Sequence, residues 1–239
     1  MPNSTVYNMM EACREPGCPI CRLEQQSVER YLDNQFYENV NSPKWREGLR
    51  VSFGFCYEHA WLGVDQRLGD ALGYSIIYHD IVNSILAHLE DANRSPHAPR
   101  RRASFLRQLP EAVRKGIEKV LDVLTPRKHC PVCDVRNHTT HTLLSALVTE
   151  LAIPEFIQAL ESSEGLCLPH LRSTLEQVRD ESTSEQLLQI HRHKWESLRT
   201  ELSEFIRKND YQAIKEGFGK EGDAWLRAIG MIVGKRKKR

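Results

Sequence analysis

The sequence predicts an all-α protein made of two pseudo-symmetric helical halves, each stapled by a Cys3His metal site. Three observations carry that prediction. Apolar residues recur at helical steps of three and four along most of the chain, no run alternates as a half-buried strand does, and one cysteine–histidine pattern occurs twice.

The first copy opens with Cys18-Pro19-Ile20-Cys21, after which Leu23, Val28, Tyr31, Leu32 and Phe36 mark a helix. Pro43 suits the first turn of a short helix, where a missing N–H costs nothing, and Gly54 falls where that helix must stop. Cys56-x-x-His59 then starts the next helix, with its two ligands about one turn apart on one face. Tyr74, Ile77, Ile81, Ile85 and Leu89 mark the long helix that closes this half.

Asp91 to Pro110, rich in Pro, Arg and Ser, reads as a linker. Pro110 opens a helix with Val113, Ile117, Val120, Leu121 and Leu124 along one stripe. The second copy, Cys130-Pro131-Val132-Cys133, is followed by Leu143, Leu144 and Leu147 and then by Cys167-x-x-His170. A long helix through Leu188, His191, Trp195, Leu198, Leu202 and Phe205 comes next, and Trp225, Leu226, Ile229 and Ile232 line one side of a final segment from Asp223 to Val233. The expected boundaries are 1–92 for the first repeat, 93–109 for the basic linker, 110–208 for the second repeat and 209–239 for a C-terminal helix and tail.

The duplication extends beyond the ligands. Pro43, Trp45, Leu49, Ser52, Gly54, Cys56 and His59 recur in step as Pro154, Phe156, Leu160, Ser163, Gly165, Cys167 and His170. Two copies at so long a period describe paired subdomains rather than a solenoid, which needs about three or more short repeats.

Six of the seven cysteines lie in these copies. Three thiolates and an imidazole, offered as two closely spaced pairs, are the ligand set of a closed tetrahedral zinc site. The eight candidate ligands are Cys18, Cys21, Cys56, His59, Cys130, Cys133, Cys167 and His170, and the expected cofactors are two Zn2+ ions. An iron–sulfur cluster is the alternative occupant, and a redox-active CPxC pair a further one, although a thioredoxin-like enzyme needs a βαβ context that this sequence lacks. Pairing within each half is the simpler arrangement, with each unit closing its own site. Exchange across the halves, joining Cys18 and Cys21 to Cys167 and His170, is equally compatible with the spacing.

Composition bounds the rest. With 33 basic and 32 acidic side chains among 239 residues, the formal charge is +1, so bulk electrostatics favour neither nucleic acid nor an acidic partner. Charge is concentrated only in Arg100-Arg101-Arg102 and in the terminal run from Lys235 to Arg239. No apolar run is long enough to span a bilayer, no secretory signal is visible, and paired thiols fit a reducing compartment. A cytoplasmic protein without a membrane partner is therefore expected.

Other polar residues invite bland readings. His138 and His141 lack a matching partner, His191 falls on an apolar stripe as a satisfied core histidine, and Tyr78-His79-Asp80 diverge on a helix. Cys13 reads as a small buried apolar group. Glu221, Asp223 and Arg227 surround Trp225, which reads as a capped helix docking through its tryptophan; a small polar site under a glycine-hinged loop is the functional alternative.

The strings Gly54-Phe55-Cys56-Tyr57-Glu58-His59-Ala60-Trp61 and Glu221-Gly222-Asp223-Ala224-Trp225-Leu226-Arg227-Ala228-Ile229, together with CPIC and CPVC, resemble an uncharacterised prokaryotic family. In the second copy Leu-Pro-His-Leu replaces Tyr-Glu-His-Ala. The resemblance implies a soluble microbial protein with paired cysteine sites and supplies no activity. Three function classes follow from the residues: an interaction or adaptor module with the metals as scaffold, an iron–sulfur or thiol redox protein, and a nucleic-acid or ribosome-associated factor acting through Arg100–Arg102 and Lys235–Arg239. No catalytic residue is nominated.

Overall fold

The computed structural model describes residues 4–94 and 108–234. The linker arginines Arg100–Arg102 and the tail Lys235–Arg239 lie outside them. Every regular element among the described residues is helical. In chain order these are α1 (Ser4–Cys13), α2 (Pro19–Glu38), α3 (Pro43–Ser52), α4 (Tyr57–Asp65), α5 (Ala71–Arg94), α6 (Glu111–Val123), α7 (Pro131–Glu150), α8 (Pro154–Ser162), α9 (Leu168–Leu175), α10 (Glu181–Lys208) and α11 (Ala224–Val233). No single described helix is long and apolar enough to cross a membrane.

The duplication is now visible in lengths. Helices α2 and α7 are both 20 residues, α3 and α8 are 10 and 9, and α4 and α9 are 9 and 8. Pro43 and Pro154 occupy the first turns of α3 and α8, where proline's fixed φ is already helical. Ser42 caps α3 by accepting from the Trp45 amide. Gly54 and Gly165 have φ of 86° and 81°, left-handed values that a side chain resists. Both expectations for these residues hold.

The chain forms two compact units whose limits are not those of the sequence repeats. One comprises the residues up to Ser27 together with those from Arg136 onward, and the other runs from Val28 to Val135. Helices α2 and α7 thus each contribute one part to each unit. In the first unit Val6, Met9, Ile20 and Leu23 from the N-terminal half share a core with Leu144, Leu147, Phe156, Leu160, Leu171 and Leu187. In the second, Leu32, Phe36, Leu49, Phe55, Ile77 and Ile81 pack with Val132, and the Phe36 ring meets Trp45 edge-on at 6.1 Å.

Three local expectations need correction. Residues 4–13, whose apolar pattern predicts no element, form α1, which buries Val6, Met9, Ala12 and Cys13. On α10 the buried stripe is Leu187, Ile190, His191 and Leu198, whereas Leu188 is exposed. The linker begins later than placed, because α5 continues to Arg94.

Candidate metal centre

Each CPxC turn sits at the start of a long helix, with Pro19 and Pro131 as the first residues of α2 and α7. Each CxxH pair starts a short helix. Cys56 and Cys167 are the N-caps of α4 and α9, with extended φ/ψ of −66°/165° and −67°/157°. Neither sulfur caps its own helix. Each instead lies 3.1 Å from the Nδ1 of the histidine one turn on, His59 or His170.

All eight expected residues come together as two groups of four, but the partners are exchanged. Cys18 and Cys21 gather with Cys167 and His170 in the first unit, and Cys56 and His59 gather with Cys130 and Cys133 in the second. Pairing within each half is therefore corrected: every cluster joins the CPxC of one repeat to the CxxH of the other. The reason is length. Cys21 and Cys56 fall in different units, because α2 runs on for about 26 Å beyond Cys21, out of the first unit and into the second.

The ligand atoms of each group all lie within 4.8 Å of one another. In the first cluster Cys21 Sγ is 3.7 Å from Cys167 Sγ and 3.4 Å from His170 Nδ1, and Cys18 Sγ is 3.5 Å from that nitrogen. In the second, Cys56 Sγ and Cys133 Sγ are 3.6 Å apart, and His59 Nδ1 is 3.4 Å from Cys133 Sγ and 3.7 Å from Cys130 Sγ. Zinc bonds of about 2.3 Å to sulfur and 2.0 Å to nitrogen make a tetrahedron with edges of about 3.5–3.8 Å. The donor sets fit such an ion, and the sulfurs are too far apart for the roughly 2.05 Å bond of a disulfide.

Electrostatics point the same way. Burial, neighbouring sulfurs and the lost hydration of a thiolate push the Cys133 thiol up to about 12. Burial pushes Cys18 well above its ordinary value and also raises Cys130. Three sulfurs gathered this closely keep their protons unless a cation repays the charge, and a bound divalent ion does so outright.

One functional residue was missed. Glu24 Oε1 lies 3.0 Å from His170 Nε2, and Thr140 donates its hydroxyl to the same carboxylate. A carboxylate on the outer nitrogen fixes the tautomer that leaves Nδ1 free to ligate. The available signal was spacing, since Glu24 follows Cys21 by three residues and so shares its helix face. The corresponding position in the second repeat is Arg136. Glu24→Gln is expected to weaken metal binding at the first cluster about 10–100-fold and to spare the second, as read by chelator competition. An affinity at the first cluster unchanged from wild type would remove the role assigned to Glu24.

The first cluster is also closed by Gly234, the residue that follows α11. A Cβ on Gly234, at φ +90°, would stand 3.3 Å from Cys21 Sγ and 3.7 Å from Cys167 Sγ. Gly234→Val should cost about 1–3 kcal/mol in chemical unfolding, through left-handed strain and displacement of α11.

The remaining nominations resolve plainly. Cys13 is buried outside both clusters, and burial raises its thiol to about 11. His138 and His141 are exposed, and Asp80 pairs with Arg50 at 2.6 Å instead of with His79. Near the C-terminus, the Lys208 ammonium at 2.8 Å and the Gly219 amide hold the Glu221 carboxyl down to about 2. Arg227 ties α11 to Glu201 and Asp223. Docking through Trp225 is corrected: that ring is exposed, and α11 is seated through Ala224 and Gly234.

Residues 5–239 match the Family of unknown function (DUF6062). The chain belongs to this family. A relative from Caldicellulosiruptor sp. (strain Rt8B.4), described as an uncharacterized 23.9 kDa protein in the xynA 3′ region, is 24% identical over 228 residues, covering 95% of this chain and 99% of the relative. No solved structure matches. DUF6062 membership accords with the uncharacterised family that the motifs resemble, and the function has to be argued from the clusters themselves.

Proposed function

We propose that this DUF6062 chain is a structural zinc protein, a helical scaffold that holds two Zn2+ ions and presents helix faces to a protein partner. The observation that carries the reading is the pair of Cys3His clusters with edges matching a tetrahedral zinc site. Cys18, Cys21, Cys167 and His170 hold one ion and Cys56, His59, Cys130 and Cys133 the other. Three thiolates and one imidazole complete the coordination shell, which suits stapling rather than turnover. The partner role is supported by α6, which exposes Val113, Ile117, Val120, Leu121 and Leu124 along a single stripe.

Elemental analysis of anaerobically purified protein, with its ultraviolet–visible spectrum, tests the metal. About two zinc ions per colourless chain are expected. Iron with visible charge-transfer bands would replace this reading by the iron–sulfur one. Absence of any transition metal in natively helical protein would remove it. For the partner, a co-purifying protein should be lost on Val113→Glu with Leu121→Glu while metal content stays unchanged.

A further inference from the structure

The two clusters hold the same ligand types but are not equally covered. In the first, the Cys21 and Cys167 sulfurs are 3.7 Å apart, Cys167 is buried, and Gly234 lies against both sulfurs. The corresponding pair in the second is Cys133 and Cys56, at almost the same separation, 3.6 Å, and both of these residues are half-buried. Cys56 is the N-cap of α4, and the next two residues, Tyr57 and Glu58, are exposed, so this pair lies toward solvent while Cys130 and His59 lie behind it, buried. Support around the ligands differs as well. The Glu24 carboxylate holds the outer nitrogen of His170 in the first cluster, and the second repeat has Arg136 at that position.

A zinc ion keeps its sulfurs as thiolates, and oxidation of a thiolate follows its exposure and the presence of a second sulfur that can complete a disulfide. Cys56 and Cys133 meet both conditions. In the first cluster one sulfur of the pair is buried and the other is covered by Gly234. We infer that the second cluster is a peroxide-sensitive zinc-release site, in which Cys56 and Cys133 are oxidised to a disulfide while the first cluster keeps its ion. The inference rests on the zinc reading above and adds a regulation to it. One thiolate of the pair attacks an oxygen of hydrogen peroxide, the O–O bond breaks, and the departing hydroxide takes a proton from solvent to become water. The other thiolate attacks the resulting sulfenic sulfur, the S–O bond breaks, and the second hydroxide also leaves as water. The pair of sulfurs has then given up two electrons, and the peroxide has accepted them. Cys130 and His59 alone make half of a tetrahedral shell, and the ion departs. All four ligands belong to the unit from Val28 to Val135, so release unfastens that unit and leaves the staple of the other in place.

The test uses the anaerobically purified full chain, with zinc content measured first. Hydrogen peroxide is then added in small molar excess, released zinc is followed with a colorimetric chelator, and disulfides are located by peptide mass mapping without reduction. One ion is expected to leave about tenfold faster than the other or more, with Cys56 joined to Cys133 and with Cys18, Cys21 and Cys167 still reduced. Reduction by a phosphine with zinc present should restore about two ions per chain. Loss of both ions at one rate, earlier loss from the first cluster, or a first-formed disulfide other than Cys56–Cys133 overturns the inference and leaves the zinc reading standing. Retention of both ions under peroxide does the same. A chain that carries no zinc before peroxide is added overturns the zinc reading, and the inference with it.

Discussion

Cys18→Ala and Cys167→Ala are each expected to cost the chain the same metal ion, and the double variant no more than either. Cys18→Ala with Cys56→Ala should cost both ions. The expectation follows from the exchanged clusters, in which Cys18 shares its site with Cys167 and Cys56 shares its own with Cys133. Metal stoichiometry reads it directly, and the opposite pattern would restore pairing within each sequence repeat. The effect on stability should be large. Structural zinc contributes on the order of 10 kcal/mol in small domains, comparable to the whole stability of a typical one. A loss of even about 5 kcal/mol lowers the midpoint of thermal unfolding by roughly 10 °C or more in a chain of this size. The clips also span more chain than a within-repeat site would. Cys21 and Cys167 are 146 residues apart, against 35 from Cys21 to Cys56, which adds about 1 kcal/mol of loop-closure entropy.

His191→Ala should be among the most damaging single changes outside the ligands, at about 3–5 kcal/mol in chemical denaturation near neutral pH. The ring is fully buried on α10. Its Nδ1–H donates to the Leu187 carbonyl at 2.8 Å, and its Nε2 accepts the Leu166 amide at 2.9 Å. Truncation leaves a cavity and an orphaned amide immediately before the ligand Cys167. Burial, aided by the Lys194 charge, holds the imidazole below its ordinary pKa despite the Leu187 bond. The unfolded ring therefore takes up a proton at pH values where the folded one does not. The native contribution is complete above about pH 6.5 and declines as pH falls below it, with a slope of at most about 1.4 kcal/mol per pH unit. The gap between wild type and His191→Ala should accordingly narrow from pH 7 to pH 5. An unchanged gap would mean that the ring stays neutral in both states or charges in both.

Much of the local structure was legible because it depends on short stretches of chain. Proline at N1 and glycine at left-handed φ act within a few residues, so the ends of α3 and α8 could be read at Pro43, Gly54, Pro154 and Gly165. His191 was identified as a core histidine because its place on the apolar stripe of α10 is a matter of periodicity. Helix α1 escaped notice because Val6, Met9 and Ala12 form too short a pattern to stand out before their packing partners are known. Glu24 escaped because a carboxylate three residues beyond a cysteine is common, and only His170, 146 residues away, gives it a role.

The residue types and spacing alone determined the all-helical class, the duplication and the eight sulfur and imidazole groups that gather in pairs. Tertiary structure decided which pair meets which, because two identical half-sites are chemically interchangeable and only the lengths and packing of α2, α3, α7 and α8 choose between them. It also decided which apolar stripes stay uncovered. Amphipathicity fixes that a helix such as α11 has two unlike faces, but Ala224 and Gly234, seated against the rest of the first unit, determine which of the two is turned inward.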